Sequence, residues 1–468
     1  MRMPFVEKDA WNPCDLRGAY PKAVSPDLFR DIGSAIGTML EPGSRVVVAG
    51  DFRLSTPELK GALSDALLQT GANVLDAGQG PTPLAYFAGR QTNAHAVLVV
   101  TASHNPAEYN GLKLMLGSMP ITPRQLTEIR TLTESCTFRS GHGSVETIDP
   151  RPLYVQTMVK RWEYLTGRGN RPVVLDAGNG AWAEMAPAIF RCLGFDVTCI
   201  SCVADGRFPD RSPDCASASN LTRLRSIVRG RADSIGIAWD GDGDRVAFVD
   251  EVGDYVSPDE IAILFACAAL EDNEPERSAD GKIVVDLKCS DIVRRTILQH
   301  AGTPLLERTG HAFMRSRMVA EEALLGLDAC GHYFFRELEG GDDGLFSAFF
   351  LLNLLRDKGR SLAELRRNLP RIFCTPETRI PTGLLPYARA AEILTSAFPR
   401  AEVMQIDGLR FVMEDGIVLI RESGTEPVLS LRIEGFSREG YEQILGRCMQ
   451  LLPEAQAHLD PGVSNNSA

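Results

Sequence analysis

One pattern recurs three times along the chain: an apolar strand, a polar or glycine-containing turn, an amphipathic helix, a glycine near the helix end and a second strand. The copies begin at Val46, Val173 and Ile283. In the first, residues 46–49 pass through Gly50-Asp51-Phe52-Arg53 to a helix over about 56–70, then Gly71 and a strand at Val74. The second runs through Gly178-Asn179-Gly180 to a helix ending near Gly194, and the third through Lys288-Cys289-Ser290 to one ending near Gly302. A strand–helix–strand unit of this kind builds a sheet with helices against it. Three copies therefore predict three similar α/β domains with mixed sheets.

Beyond residue 369 the texture changes to short strand-like runs at 409–413, 417–420 and 428–433, then a helix over about 438–452. This reads as a smaller C-terminal α+β domain. Turn residues at 147–152, 251–258 and 369–375 interrupt the apolar periodicity and place the hinges. The domains so defined are 1–148, 149–252, 253–369 and 370–468. At 468 residues the chain is long enough for roughly three or four cores, in agreement.

The formal charge of −12 argues against a nucleic-acid or anionic-membrane surface, either of which favours a basic face. Eleven cysteines, several inside apolar runs, fit small core residues in a reducing cytoplasm. The first residues, Met-Arg-Met-Pro-Phe-Val-Glu-Lys-Asp, lack the apolar core of an export signal, and no segment has the uninterrupted apolar length of a membrane span.

Two segments carry chemistry. Residues 97–100 form an apolar strand that delivers Ser103 into a Ser-His-Asn-Pro turn followed by Lys113. A serine hydroxyl is unreactive until a base, a metal or a bound charge activates it. The second segment, Asp240-Gly-Asp-Gly-Asp-Arg245, alternates three carboxylates with glycines. Asp240, Asp242 and Asp244 can converge on one hard cation, and the loop lacks the length and distal glutamate of an EF-hand, so the set suits Mg²⁺. Taken singly, Ser103 reads as a turn serine, the aspartates as a solvated turn, and Lys113 as an outward-facing strand lysine.

Together with their order, these motifs resemble the α-D-phosphohexomutases, closest to the phosphomannomutase/phosphoglucomutase group. Thr101-Ala-Ser-His-Asn-Pro106 resembles the family's phosphoserine loop, Asp240 to Arg245 its metal loop, and Arg421-Glu-Ser-Gly-Thr-Glu-Pro427 its C-terminal phosphate loop. Asp15-Leu-Arg-Gly18, Gly80-Pro-Thr-Pro83, Asp205-Gly-Arg-Phe-Pro209 and Thr309-Gly-His311 are further echoes.

The resemblance implies four domains around a central cleft and a phosphohexomutase interconverting hexose 6-phosphate and hexose 1-phosphate, with mannose or glucose phosphates favoured. It implies Mg²⁺ on Ser103, Asp240, Asp242 and Asp244, and a hexose 1,6-bisphosphate as intermediate and activator. Lys113, Arg17, Arg245 and His311 become the reaction-centre candidates. Lys288, Asp328, Cys330, His332, Arg421, Ser423, Gly424 and Thr425 become the substrate-binding set. The implied partner is a small phosphorylated sugar, and the implied assembly a monomer or weak dimer. His104 is expected to shape the serine's turn rather than react.

Two departures bear on specificity. Where the group usually reads Gly-Glu-Met-Ser-Gly-His, this chain has Leu327-Asp-Ala-Cys-Gly-His332. Asp328 is one methylene shorter than glutamate, and Cys330 donates more weakly than serine. Cys14 replaces a usual tyrosine before Asp15. Two alternatives therefore stay open: a mutase for a non-standard sugar or cyclitol phosphate, and a non-catalytic sugar-phosphate-binding protein.

Overall fold

The computed structural model describes residues 10–167, 170–271, 281–423, 428–456 and 458. Each expected unit forms at its expected place. Arg45–Gly50 leads through the helix Thr56–Gln69 to Asn73–Gln79, Val173–Asp176 through Met185–Cys192 to Val197–Ile200, and Lys282–Asp286 through Asp291–Gln299 to Thr303–Glu307. In all three the two strands pair in parallel, as a helical crossover requires.

The first sheet adds the antiparallel strands Tyr109–Leu116 and Leu16–Ala19 beside Ala96–Val100. That pairing sets Arg17 opposite Gly111 and Lys113 opposite Val99, so both cations flank the turn that carries Ser103. The second sheet turns back at Ile235–Trp239 into Val246–Val249, and the connection is the aspartate loop. The third repeats the design, with Leu325–Leu327 turning into Tyr333–Phe335 through the loop of Asp328 and His332. The C-terminal sheet is antiparallel throughout.

The second and third domains share one continuous apolar core. Helix Gly344–Lys358 explains this, because it is buried on most of its circumference rather than along one stripe. Phe349 stacks on Phe190 of the second domain at 4.5 Å between ring centroids, and Phe346 meets Trp162 at 5.1 Å. Truncating such a ring to alanine costs about 3–5 kcal/mol. The first domain adds Leu84 and Phe87 to that core but keeps its own around Phe29, Ile36 and Leu98, and the fourth keeps a separate one around Phe411, Leu431 and Ile444. All eleven cysteines are unpaired thiols, and no helix among the described residues is long and apolar enough to cross a membrane.

Candidate active site

Ser103 sits at the end of its strand with φ of +52°, a left-handed conformation that costs a non-glycine residue about 1–3 kcal/mol. The surrounding structure over-determines it. Arg53, fully buried, donates from Nη2 to the carbonyls of Ser103 (2.8 Å) and Asn105 (2.6 Å), and from Nη1 to those of Pro106 and Tyr109. Asp51 in turn accepts from Arg53 Nε at 3.0 Å and from the hydroxyls of Thr56 and Thr101, each at 2.8 Å. The Ser103 amide donates to Thr101 Oγ1 at 2.8 Å. The turn's fixed shape thus comes from a guanidinium fork satisfying carbonyls that would otherwise be orphaned.

The serine hydroxyl is buried and donates to Asp240 Oδ2 at 2.8 Å, across 137 residues of sequence. Asp240, Asp242 and Asp244 are all buried, and an oxygen from each lies within 4.8 Å of the others. Gly243 permits the bend at φ of +80°, and a Cβ there would fall 2.4 Å from Trp182 Nε1, which donates to the Gly243 carbonyl at 2.7 Å. Two oxygens of this loop, Asp242 Oδ1 and Asp244 Oδ1, are buried without a hydrogen-bond partner. Orphaned carboxylate oxygens cost several kcal/mol unless a cation or donor meets them, so this donor set fits a hard divalent ion. Burial, then the charges of Asp242 and Asp244, push the Asp240 carboxyl well above the usual carboxylate range.

Lys113 is not the outward-facing lysine of the default strand reading. Its ammonium is buried against Asp242 Oδ2 at 2.7 Å and Asp244 Oδ2. Burial disfavours that charge, but the two carboxylates outweigh it and hold Lys113 above the ordinary lysine value. Arg17 lies nearby, donating to Asp15 at 2.8 Å and Asn105 Oδ1 at 3.2 Å. His104 sits beside the serine hydroxyl at 3.4 Å, kept neutral by burial and by Arg245 and Arg17.

The third domain closes the other side. Asp342 bridges two histidines, accepting from His332 Nδ1 at 2.7 Å and lying 3.1 Å from His311 Nε2. Arg245 Nε donates to His332 Nε2 at 2.7 Å. Burial opposes a charge on His332, while Asp244 and Asp328 raise its pKa. The hydrogen bond limits that charge: guanidinium N–H is a permanent donor, so Nε2 must present a lone pair and Nδ1 must carry the proton.

Asp328 does not project freely. Its Oδ1 accepts the amides of Cys330 at 2.7 Å and His332 at 2.9 Å, shaping the loop around Gly331 at φ of +92°. The Cys330 thiol lies 3.2 Å from Lys288 Nζ, which also meets Glu377 Oε2 of the fourth domain at 3.4 Å. Burial raises the Glu377 carboxyl, yet Lys288, Ser430, Arg379 and Arg421 together hold it at about 2. Arg421 is oriented by Asp407 at 2.9 Å, and the Ser423 amide bonds the Val428 carbonyl at 2.9 Å. Gly424 and Thr425 lie outside the described residues.

The structure therefore brings Ser103, Lys113, Arg17, Arg245, His311, His332 and the aspartates into one connected cluster, and Lys288, Cys330 and Arg421 into a second against the fourth domain. Sequence reasoning missed Asp51, Arg53, Glu377 and Arg379. A charged Asp-x-Arg directly after a buried strand was the available signal for the first pair.

A buried serine on a carboxylate triad, ringed by cations and histidines from three domains, defines a phosphoryl-transfer enzyme. The chain belongs to the phosphoglucomutase/phosphomannomutase family: α/β/α domain I matches residues 12–140, domain II 152–253, domain III 257–373, and the C-terminal domain 385–450. It is 33% identical to a phosphoglucomutase of Neisseria gonorrhoeae over 98% of this chain and 99% of that one. A phosphomannomutase/phosphoglucomutase of Pseudomonas aeruginosa is 32% identical, covering 95% of each chain. A crystal structure of a phosphoglucomutase/phosphomannomutase family protein from Burkholderia thailandensis superposes with a TM-score of 0.85 at 33% identity, over 96% of this chain and 98% of that one.

Proposed function

We propose that the chain is a Mg²⁺-dependent phosphohexomutase that interconverts 6- and 1-phosphates of mannose or glucose, with Ser103 as phosphoryl carrier. The observation that carries this reading is the 2.8 Å contact of Ser103 Oγ with Asp240, beside two orphaned carboxylate oxygens. Ser103, Asp240, Asp242 and Asp244 would hold the cation, which when bound supplies charge neutralisation to a phosphoryl group on the serine.

The reaction is a double exchange. A sugar hydroxyl oxygen forms a bond to the phosphorus on Ser103, the Oγ–P bond breaks, and a hexose 1,6-bisphosphate results. The sugar turns over, and its other phosphoryl group returns to Ser103. Arg17 and Arg245 would neutralise the transferring oxygens, and His311 would take the hydroxyl proton, while Lys113, held protonated by Asp242 and Asp244, could only donate one. The fixed phosphate needs a distant anchor that serves both orientations. Lys288, Arg421, Ser423, Gly424 and Thr425 are proposed for it, with Arg379 beside them.

The direct test combines purified protein, Mg²⁺, a hexose 1-phosphate and a trace of bisphosphate, and follows the 6-phosphate. Turnover that Ser103→Ala abolishes supports the reading. Absence of turnover across glucose, mannose and amino-sugar phosphates would sink it. Unpaired thiols suit a reducing cytoplasm as the working compartment.

A second reading, a mutase for a non-standard sugar or cyclitol phosphate, draws on Asp328. Its carboxylate is committed to loop amides, so the sugar contact expected of a glutamate is weakened. The double variant Asp328→Glu, Cys330→Ser gaining glucose or mannose phosphate turnover would favour it; a loss would favour the first reading.

A further inference from the structure

We propose that Tyr86 of the first domain is a positioning residue for His311 of the third. This rests on the reading above, in which His311 faces the reacting sugar. The Tyr86 ring is buried and stacks on the His311 imidazole, with centroids 5.7 Å apart and planes inclined by 29°. His311 opens the helix His311–Ala320 after Gly310 at φ of +137°, a helix start whose first side chain needs outside support. Phe334 and His332 of its own domain lie beside the ring, at 5.8 and 6.4 Å between centroids, and two further groups hold it. Asp342 holds its Nε2 edge at 3.1 Å, and Tyr86 covers its face.

The contact on Tyr86 is doubled. Arg315, one helical turn beyond His311 and so on the same face, places its guanidinium 5.6 Å from the centre of the Tyr86 ring. Arg315 is fully buried; Nη1 reaches Met115 Sδ at 3.3 Å, while Nε and Nη2 have no hydrogen-bond partner. A buried guanidinium without a hydrogen-bonded carboxylate is a poor packing element, and the Tyr86 ring is, with Met115, a contact that it braces in the first domain. Two side chains of one domain thus grip an aromatic ring of another.

The start of the helix that carries Tyr86 fixes what that grip transmits. Tyr86 lies in Thr82–Thr92, and Thr82 donates from Oγ1 to Asp242 Oδ2 at 2.6 Å and from its amide to the Asp242 carbonyl at 2.9 Å. Thr82 and Tyr86 are one turn apart, about 6 Å along a rigid helix. The Gly80-Pro-Thr-Pro83 segment therefore ties the aspartate loop of the second domain to the histidine of the third, behind Ser103. Neither domain sets this spacing alone.

Tyr86→Leu keeps an apolar, though smaller, side chain and removes the stacked ring. The expected result is a kcat about 10- to 100-fold lower with KM changed by less than about threefold, since a misplaced group costs rate more than binding. Tyr86→Phe, which restores the ring without the hydroxyl, should recover kcat. In protein labelled with ¹⁵N-histidine, the His311 ring signals, identified by their loss in His311→Gln, should shift in Tyr86→Leu and return in Tyr86→Phe. Unchanged kcat and unshifted His311 signals in folded Tyr86→Leu would overturn the proposal. If Tyr86→Leu fails to fold, Arg315→Met serves instead: it should lower kcat and move the same signals, and no change in either would overturn it. His311→Gln with full turnover would instead remove the catalytic reading of His311 and leave the stacking measurement standing as a separate result.

Discussion

Arg53 donates to the Ser103 carbonyl oxygen at 2.8 Å and holds a left-handed serine in place with the same guanidinium that satisfies three further carbonyls of the turn. Arg53→Met should cost about 3–5 kcal/mol, because it strands the buried Asp51 carboxylate as well as the carbonyls. Arg53→Lys keeps the charge but not the fork, so it should fold better yet still carry less phosphate on Ser103. Urea denaturation and intact-mass spectrometry after incubation with bisphosphate check the two parts separately.

Lys113 pairs with Asp242 and Asp244, the same carboxylates proposed to hold the divalent ion, so the two would compete. Lys113→Met removes the internal counter-charge in direct contact with Asp242 and Asp244, and in chelator leaves those carboxylates to the more distant arginines. Its melting temperature in chelator should fall below wild type. Added Mg²⁺ should raise it by more than it raises wild type, since a ligand that binds only the folded state stabilises it in proportion to occupancy. Scanning fluorimetry with and without chelator reads this directly; equal Mg²⁺ shifts in both proteins would place the cation elsewhere.

The repeats were legible because strand, turn and helix are local, and the serine and aspartate loops because each is one contiguous motif. Lys113 misled in the default reading because its burial is imposed by Asp242 and Asp244, more than a hundred residues away. Arg53 offered only its Asp-x-Arg as a signal and Glu377 none, since their partners Asn105 and Lys288 lie 52 and 89 residues distant. Helix Gly344–Lys358 carries no single apolar stripe, and only the shared core of two domains gives that a meaning. Asp328 shows the opposite limit. Its position was legible, but the direction in which its shortened side chain turned was not.

Asp291 joins the third domain to the fourth and makes that joint acid-sensitive. Burial opposes its ionisation, but Arg294 and Arg295 on its own helix and Arg410 of the fourth domain outweigh this and lower its pKa from 3.8 to about 2. A depressed carboxyl contributes stability that is fully present above the unfolded value near 4 and is lost as pH falls toward about 2. Asp291→Asn should therefore be less stable than wild type at pH 7, and the gap should close between about pH 4 and pH 2. A gap independent of pH would show that the arginines do not act through its charge.

Glu434 reaches from the fourth domain to the loop that presents Lys288. Its carboxylate accepts the Ser290 hydroxyl at 2.6 Å and the Asp291 amide at 3.0 Å, capping the helix Asp291–Gln299 from outside its own domain. Arg432, two residues earlier on the same strand, bonds the Lys288 carbonyl and Asp259. The lysine proposed as anchor is thus positioned by the fourth domain, and sugar-phosphate binding should depend on that clamp. Glu434→Ala leaves the hydroxyl and amide unsatisfied, and bonds to a charged acceptor are worth about 1.5–3 kcal/mol. Amide exchange in a peptide covering residues 286–294 should accelerate about 10- to 100-fold, and KM for the sugar phosphate should rise while phosphorylation of Ser103 by bisphosphate at saturation stays near wild type. Unchanged exchange in that peptide would mean that the loop holds its shape without the fourth domain.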